Sequence, residues 1–224
     1  MADRVIDVFL LFDPGDRNTY TWTSGGKSYS KVLPGPDWVG LASDAAKLGF
    51  KVNVSGPSFQ LTAAGFTASL KNSEGTILIG HGHGSVVGKK WITSKLFLSD
   101  GMIYAPDGMY EGTWTGMTLT PSKDHPKASR VTTNKVTGVF TCNSHDVLPK
   151  AFDIGKDSVM ITNDGGGDGF TRVGTLENTG FAFVQTYVSS KGDLQKAVAK
   201  AQAVLKASGE KFAGDKGDTL NVEK

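Results

Sequence analysis

Apolar residues in this chain fall into short, nearly continuous runs, with helically spaced segments between them. Residues 5–12 form the first run, Val5-Ile6-Asp7-Val8-Phe9-Leu10-Leu11-Phe12. It reads as a strand buried on both faces, stopped by the turn residues Asp13-Pro14-Gly15-Asp16. Residues 16–35 are polar and hold Gly25-Gly26, so a long loop or a small hairpin is expected. Asp37 is placed to cap a helix running through Leu41, Ala45 and Leu48 to a stop at Gly49. The alternation in Phe50-Lys51-Val52-Asn53-Val54 predicts a second strand, ended by Gly56-Pro57. Phe59, Ala63, Phe66 and Leu70 recur at helical spacing over residues 58–70, although Gly65 costs that helix about 1 kcal/mol. Thr76-Ile77-Leu78-Ile79 is a third strand, running into Gly80-His81-Gly82-His83-Gly84.

Strand, helix, strand, helix, strand predicts right-handed crossovers and a parallel sheet. Residues 86–120 break the rhythm with Leu96-Phe97-Leu98, Met102-Ile103-Tyr104 and turn signals at Asp100-Gly101 and Asp107-Gly108, which predicts an antiparallel excursion of hairpins. Residues 121–127 read as a polar loop. Residues 136–141 are the fourth core strand and deliver Cys142 at its end; residues 158–162 are the fifth, and residues 163–169 a Gly/Asp loop. Two helices follow. The first carries Phe181, Val184, Tyr187 and Val188; the second carries Leu194, Ala197, Val198, Ala201, Val204 and Leu205, with Asp193 as its N-cap and Gly209 as its stop. The expected organisation is one α/β domain over residues 1–209, with a β-rich insertion at about 85–120. Residues 210–224 are expected to form a polar, poorly packed tail.

The length of 224 residues allows one large core without covalent staples. A single cysteine, Cys142, excludes an intrachain disulfide and a multi-cysteine zinc site. With 24 basic against 22 acidic residues and no Lys/Arg cluster, there is no nucleic-acid footprint. No apolar run approaches a membrane span, and the first residues carry no signal-peptide pattern, so a cytoplasmic location is expected.

In open α/β sheets, ligands sit beyond the carboxyl ends of the strands. His81 follows the third strand there and Cys142 the fourth. If those strands are neighbours, their ends lie roughly 5–10 Å apart, close enough for an imidazole to act on a thiol as general base. A lone cysteine is more often a small buried hydrophobe, and it is the shared placement that raises the functional reading. Glycines around His81 let the backbone approach a substrate, and the amides of Gly82 and Cys142 are candidate oxyanion donors.

Residues 76–82, a strand ending in His-Gly, together with Gly138-Val139-Phe140-Thr141-Cys142-Asn143-Ser144, resemble the two signatures of caspase-like (clan CD) cysteine peptidases, closest to the CHAT branch. The late helix pair with Gly180-Phe181, Gly192-Asp193, Ala197-Val198, Ala201-Gln202 and Leu205 is similar to that branch as well. The resemblance spans roughly residues 1–208 in element order. Thr141 departs from the family's usual small residue before the cysteine, and the insert over residues 85–130 is longer than expected. The resemblance implies a caspase-like three-layer fold, Cys142 as nucleophile, His81 as base, and no cofactor. It also implies a protein or peptide substrate, with a regulatory protein partner as a further expectation. His83 competes with His81 for the base and is otherwise a candidate substrate-binding residue.

In that family the primary specificity pocket is lined from the first-strand end and from the loops after the cysteine and the fifth strand. Asp13 and Asp164 sit at such ends and would select a basic side chain; Arg17 would select an acidic one. Asp16, Asp146 and Asp168 read as turn chemistry. Trp22, Trp38, Trp91 and Trp114 read as core or hairpin packing. Two other function classes stay open. One is a non-catalytic binding or regulatory module on the same fold. The other is a metal-dependent hydrolase using His81 and His83, with His145-Asp146 and Cys142 as spare ligands, although the Asp-His that follows His-x-His in metallohydrolases is missing here.

Overall fold

A computed structural model describes residues 4–12, 19–32, 35–56, 61–80, 83–87, 90–97, 102–105, 108–115, 118–121, 130–145, 148–165, 171–211 and 218–224. In chain order its strands and helices begin with β1 (Arg4–Leu11), the hairpin β2 (Thr19–Ser24) and β3 (Lys27–Val32), α1 (Trp38–Lys47), β4 (Phe50–Ser55), α2 (Ala63–Asn72) and β5 (Gly75–Gly80). There follow β6 (His83–Val87), β7 (Lys90–Phe97), β8 (Met102–Ala105), β9 (Gly108–Thr115) and β10 (Thr118–Pro121). Next come β11 (Val131–Thr132), β12 (Val136–Phe140), a 3-10 turn (Leu148–Ala151), β13 (Phe152–Asp153) and β14 (Val159–Asp164). The chain closes with α3 (Val173–Ser189), α4 (Leu194–Lys211) and β15 (Thr219–Glu223).

The central sheet has the order β15-β14-β12-β5-β1-β4. Every pairing in it is parallel except β14–β15. The protein is therefore α/β, with a mostly parallel sheet flanked by helices. Successive residues of a strand point to opposite faces, and the core divides accordingly. Ile77, Ile79 and Phe140 join α1, α3 and α4 in one cluster, whereas Leu78, Val139 and Met160 join α2 and the 3-10 turn in another. All of β5 is buried, as its unbroken apolar run requires. Gly180 lets α3 approach the sheet: a Cβ there would lie 2.4 Å from Ile79 Cδ1.

Several expectations hold in detail. Asp37 accepts from the Gly40 amide at the head of α1, and α1 gives way to Gly49 at φ +79. Asp193 likewise accepts from the Lys196 amide, 3.0 Å away. The insertion is a five-stranded antiparallel sheet, β10-β9-β8-β7-β6, and it begins at His83 rather than at residue 85. Trp38 is buried, and Trp22, Trp91 and Trp114 lie on strands of the hairpins.

Other expectations are corrected. The second helix starts at Ala63, capped by Thr62, whose hydroxyl accepts from Gly65 N; Phe59 lies outside the described residues. Asn163 and Asp164 belong to β14, not to a loop. Helix α3 starts at Val173, ahead of the residues that carry its apolar spacing. Gly209 does not stop α4, which continues to Lys211, because one helical glycine costs only about 1 kcal/mol. The tail is not poorly packed. Residues 219–223 form the edge strand β15, antiparallel to β14, and the domain therefore runs to the end of the chain. Gln202 of α4 captures this strand: its amide nitrogen donates to the Asp218 carbonyl at 3.3 Å, and its oxygen accepts from Leu220 N at 2.6 Å.

At the amino ends of the strands Glu74 collects its partners. Arg4 donates to both of its carboxylate oxygens, at 2.6 and 2.5 Å, and the Tyr187 hydroxyl donates at 2.6 Å. Lys135 Nζ lies 3.3 Å away. Burial alone would raise the Glu74 carboxyl; the hydrogen bonds from Arg4 and Tyr187 and the charge of Lys135 outweigh it and hold the group at about 2. A carboxylate whose folded value is depressed stabilises fully above its unfolded value and loses that contribution as pH falls toward the folded one. Urea unfolding of the wild-type protein should therefore weaken between the ordinary glutamate value of about 4.3 and pH of about 2. Glu74→Gln should be less stable at neutral pH by about 2 kcal/mol and should lose much of this acid dependence. Equal acid slopes in the two proteins would refute the role given to Glu74.

Candidate active site

Two features bring chemistry to the carboxyl ends of the strands. The strand order reverses at β1 and β5, since β4 lies outside β1 while the later strands add beyond β5. That reversal is where ligands settle in such sheets. β12 lies next to β5, in the register Phe140↔Ile79. At the reversal the chain is tight. Gly80 pairs with Leu11 and has φ +146, and a Cβ on it would stand 2.2 Å from the Leu11 carbonyl oxygen.

The Cys142 turn is built from short polar residues. β12 ends at Phe140, so Cys142 lies in the turn beyond the strand. Asn143 takes a left-handed φ of +40, a conformation asparagine tolerates better than most residues. The Ser144 hydroxyl donates to the Val139 carbonyl at 2.8 Å and accepts from Asn163 N at 3.0 Å, tying the turn to β14.

The sulfur itself is capped. Cys142 is 2% exposed. Its Sγ donates to the Thr171 carbonyl at 3.2 Å and accepts from the Thr171 amide at 3.4 Å. These two contacts hold the sulfur against backbone. Thr171 is fixed in turn: its hydroxyl donates to Asp218 Oδ2 at 2.6 Å and accepts from Asn163 Nδ2 at 3.0 Å. Asp218 is 4% exposed, a buried carboxylate just ahead of β15. Two polar atoms in this shell, Thr141 Oγ1 and Asn163 Oδ1, are buried with no hydrogen-bond partner among the described residues.

The other candidates divide. His81, Gly82, Asp13, Arg17, Asp16, Asp146 and Asp168 lie outside the described residues. His83 opens β6, with its backbone opposite Lys95 beside an irregularity in the pairing. Asp164 ends β14, partly buried and opposite Thr219, at the strand end expected of it. His145 Nδ1 lies 2.9 Å from Glu223 Oε1. Among the described residues there is no group of three or more His, Cys, Asp or Glu side chains that would hold a metal ion. A cleft of about 600 Å³ beside His145 is lined by Arg130, Lys150, Asp153 and Glu223, and one of about 270 Å³ by Phe9, Leu11, Leu61 and Thr62. Cys142 lines neither.

Sequence reasoning missed Thr171, Asn163 and Asp218. The one signal that pointed to them was the alternation Thr219-Leu220-Asn221-Val222, a strand pattern inside a segment otherwise polar enough to read as a tail. No helix is long and apolar enough to cross a membrane among the described residues. No protein-family model matches the chain, and no curated protein or solved structure matches it either.

Proposed function

We propose that the chain is a cysteine endopeptidase with a caspase-like fold, closest to the CHAT branch, in which Cys142 attacks the scissile carbonyl and His81 carries the proton. One observation supports this reading above the others. β5 and β12 are adjacent parallel strands in register, and His81 and Cys142 each stand two residues beyond the paired positions Ile79 and Phe140. Adjacent strands are about 4.8 Å apart, within reach of a thiol–imidazole dyad. His81 takes the thiol proton, the sulfur adds to the carbonyl carbon, and the amides of Gly82 and Cys142 donate to the oxyanion. His81 then protonates the leaving amine, and water hydrolyses the thioester to return the thiol. No cofactor enters these steps.

The substrate is a protein or peptide cut after a basic residue. Asp164, and Asp13 at the end of the first strand, supply the carboxylates that offset the lost hydration of a buried cation. His83 contacts the bound peptide. A cytoplasmic setting suits a reactive thiol.

A second reading is favoured by one observation, the capped and buried sulfur. On it the chain keeps the fold as a binding or regulatory module without turnover. Cleavage of a peptide library, scanned at the residue before the cut, separates the two. Cutting after Arg or Lys is the expected result, with His81→Ala losing nearly all turnover and His83→Ala mainly raising KM. Cutting after Asp or Glu would transfer the pocket to Arg17. A dead His83→Ala beside an active His81→Ala would reverse their roles, and no cutting of any peptide would favour the regulatory module.

A further inference from the structure

We infer that Asp218 and Thr171 form an internal latch that holds Cys142 covered, so that the docking of the C-terminal strand β15 controls access to the thiol. The inference rests on the reading of Cys142 as the reactive group and adds the regulation of that site.

The chain of contacts is continuous. The carbonyl and the amide of Thr171 both contact Sγ, at 3.2 and 3.4 Å. The Thr171 hydroxyl donates to Asp218 Oδ2, 2.6 Å away. A hydrogen bond from a hydroxyl to a buried carboxylate is among the stronger ones in a protein. Asp218 is the residue ahead of β15, and Gln202 of α4 grips both its carbonyl and the Leu220 amide. β15 itself is an edge strand, the last in the sheet and antiparallel to β14, with Val222 38% exposed.

The shell is also built to receive something when Thr171 withdraws. Thr141 Oγ1 and Asn163 Oδ1 are fully buried and have no partner among the described residues. The Asn163 amide nitrogen already spans from the Thr171 hydroxyl to the Thr141 carbonyl, 3.5 Å away. Leaving buried polar atoms unsatisfied is costly. A polar group of the substrate's backbone satisfies them once the latch opens, and this biases the equilibrium toward the open form when substrate is present.

Alkylation of Cys142 by iodoacetamide under native conditions reads the latch without reference to peptidase activity. Reaction requires opening, so its rate follows the open population. Loss of the Thr171–Asp218 bond from the closed form raises that population by about tenfold or more. Thr171→Val and Asp218→Ala should therefore be alkylated about tenfold faster than the wild type. Thr171→Ser, which keeps the hydroxyl, should react at the wild-type rate. Gln202→Ala should accelerate the reaction too, since it frees Asp218 and Leu220 together. Should Asp218→Ala fail to fold, the Val and Ser pair at Thr171 decides alone, with urea unfolding run beside it to separate local opening from global loss of structure. Wild-type rates in Thr171→Val, or acceleration in Thr171→Ser equal to that in Thr171→Val, would overturn the latch. Accelerated alkylation with no peptide cleavage in any variant would leave the latch standing and remove the peptidase.

Discussion

Cys142→Ala is expected to abolish peptide cleavage completely while the protein stays folded. On the chemical side, the methyl group has no electron pair to add to a carbonyl, and the chain has no second cysteine to take over. On the structural side, the residue sits in the large core cluster at 2% exposure, so the change removes one packed sulfur and its bond to the Thr171 carbonyl. Deletions of that size cost about 1–2 kcal/mol, well inside the stability of a domain this large. Turnover and urea unfolding measured on the same preparation check both. Retained cleavage would exclude covalent catalysis by this chain, and unfolding at neutral pH would mean the cysteine is structural.

Gly80→Ala should be among the most damaging single substitutions in the molecule, about 3–5 kcal/mol or failure to fold. Two independent penalties meet there. The backbone at φ +146 lies in a region that residues with a Cβ rarely adopt, and the added carbon would stand 2.2 Å from the Leu11 carbonyl oxygen and 2.6 Å from its carbon. Those atoms are main chain, held by the β1–β5 pairing, so they cannot turn aside as a side chain would. Gly75→Ala, at the other end of β5, meets Ile6 Cγ2 at 3.5 Å, an ordinary contact, and should change stability by less than about 1 kcal/mol. Urea unfolding of the pair isolates the effect. Equal stability in the two variants would show that the reversal point between β1 and β5 tolerates a side chain.

The parallel sheet was legible because its strands are buried on both faces and so appear as unbroken apolar runs. β5 and β12 are of this kind. Helices α1 and α4 were legible through Asp37 and Asp193, whose carboxylates cap them as their positions require. β15 was not. An edge strand has only one neighbour, its residues are half exposed, and what holds it is a pairing with β14 and two bonds from Gln202, none of which leaves an apolar run. The start of α3 was hidden for a related reason. Its first turns bury Gly174, Thr175 and Glu177, polar or small residues satisfied by contacts that spacing does not reveal.

The site shows the same division. That Cys142 and the segment after Gly80 each follow a core strand was legible from the apolar runs; that these strands, β5 and β12, are neighbours is seen only in their register. That the thiol is enclosed by Thr171, with Asp218 behind it, depends on a residue 29 positions further along and on another 47 beyond that, joined only by folding. Long-range polar contacts of this kind carry no periodic signal.

The most direct test of the central claim, that Cys142 is a nucleophile served by His81, is covalent labelling by a peptidyl chloromethyl ketone with arginine at its reactive end, read by intact mass. It should be run on the wild-type protein and on Thr171→Val, whose latch is released. The account predicts a single adduct at Cys142, forming faster in Thr171→Val, strongly slowed by His81→Ala and absent in Cys142→Ala. No adduct in either the wild type or Thr171→Val, in samples whose thiol iodoacetamide still alkylates, would contradict it.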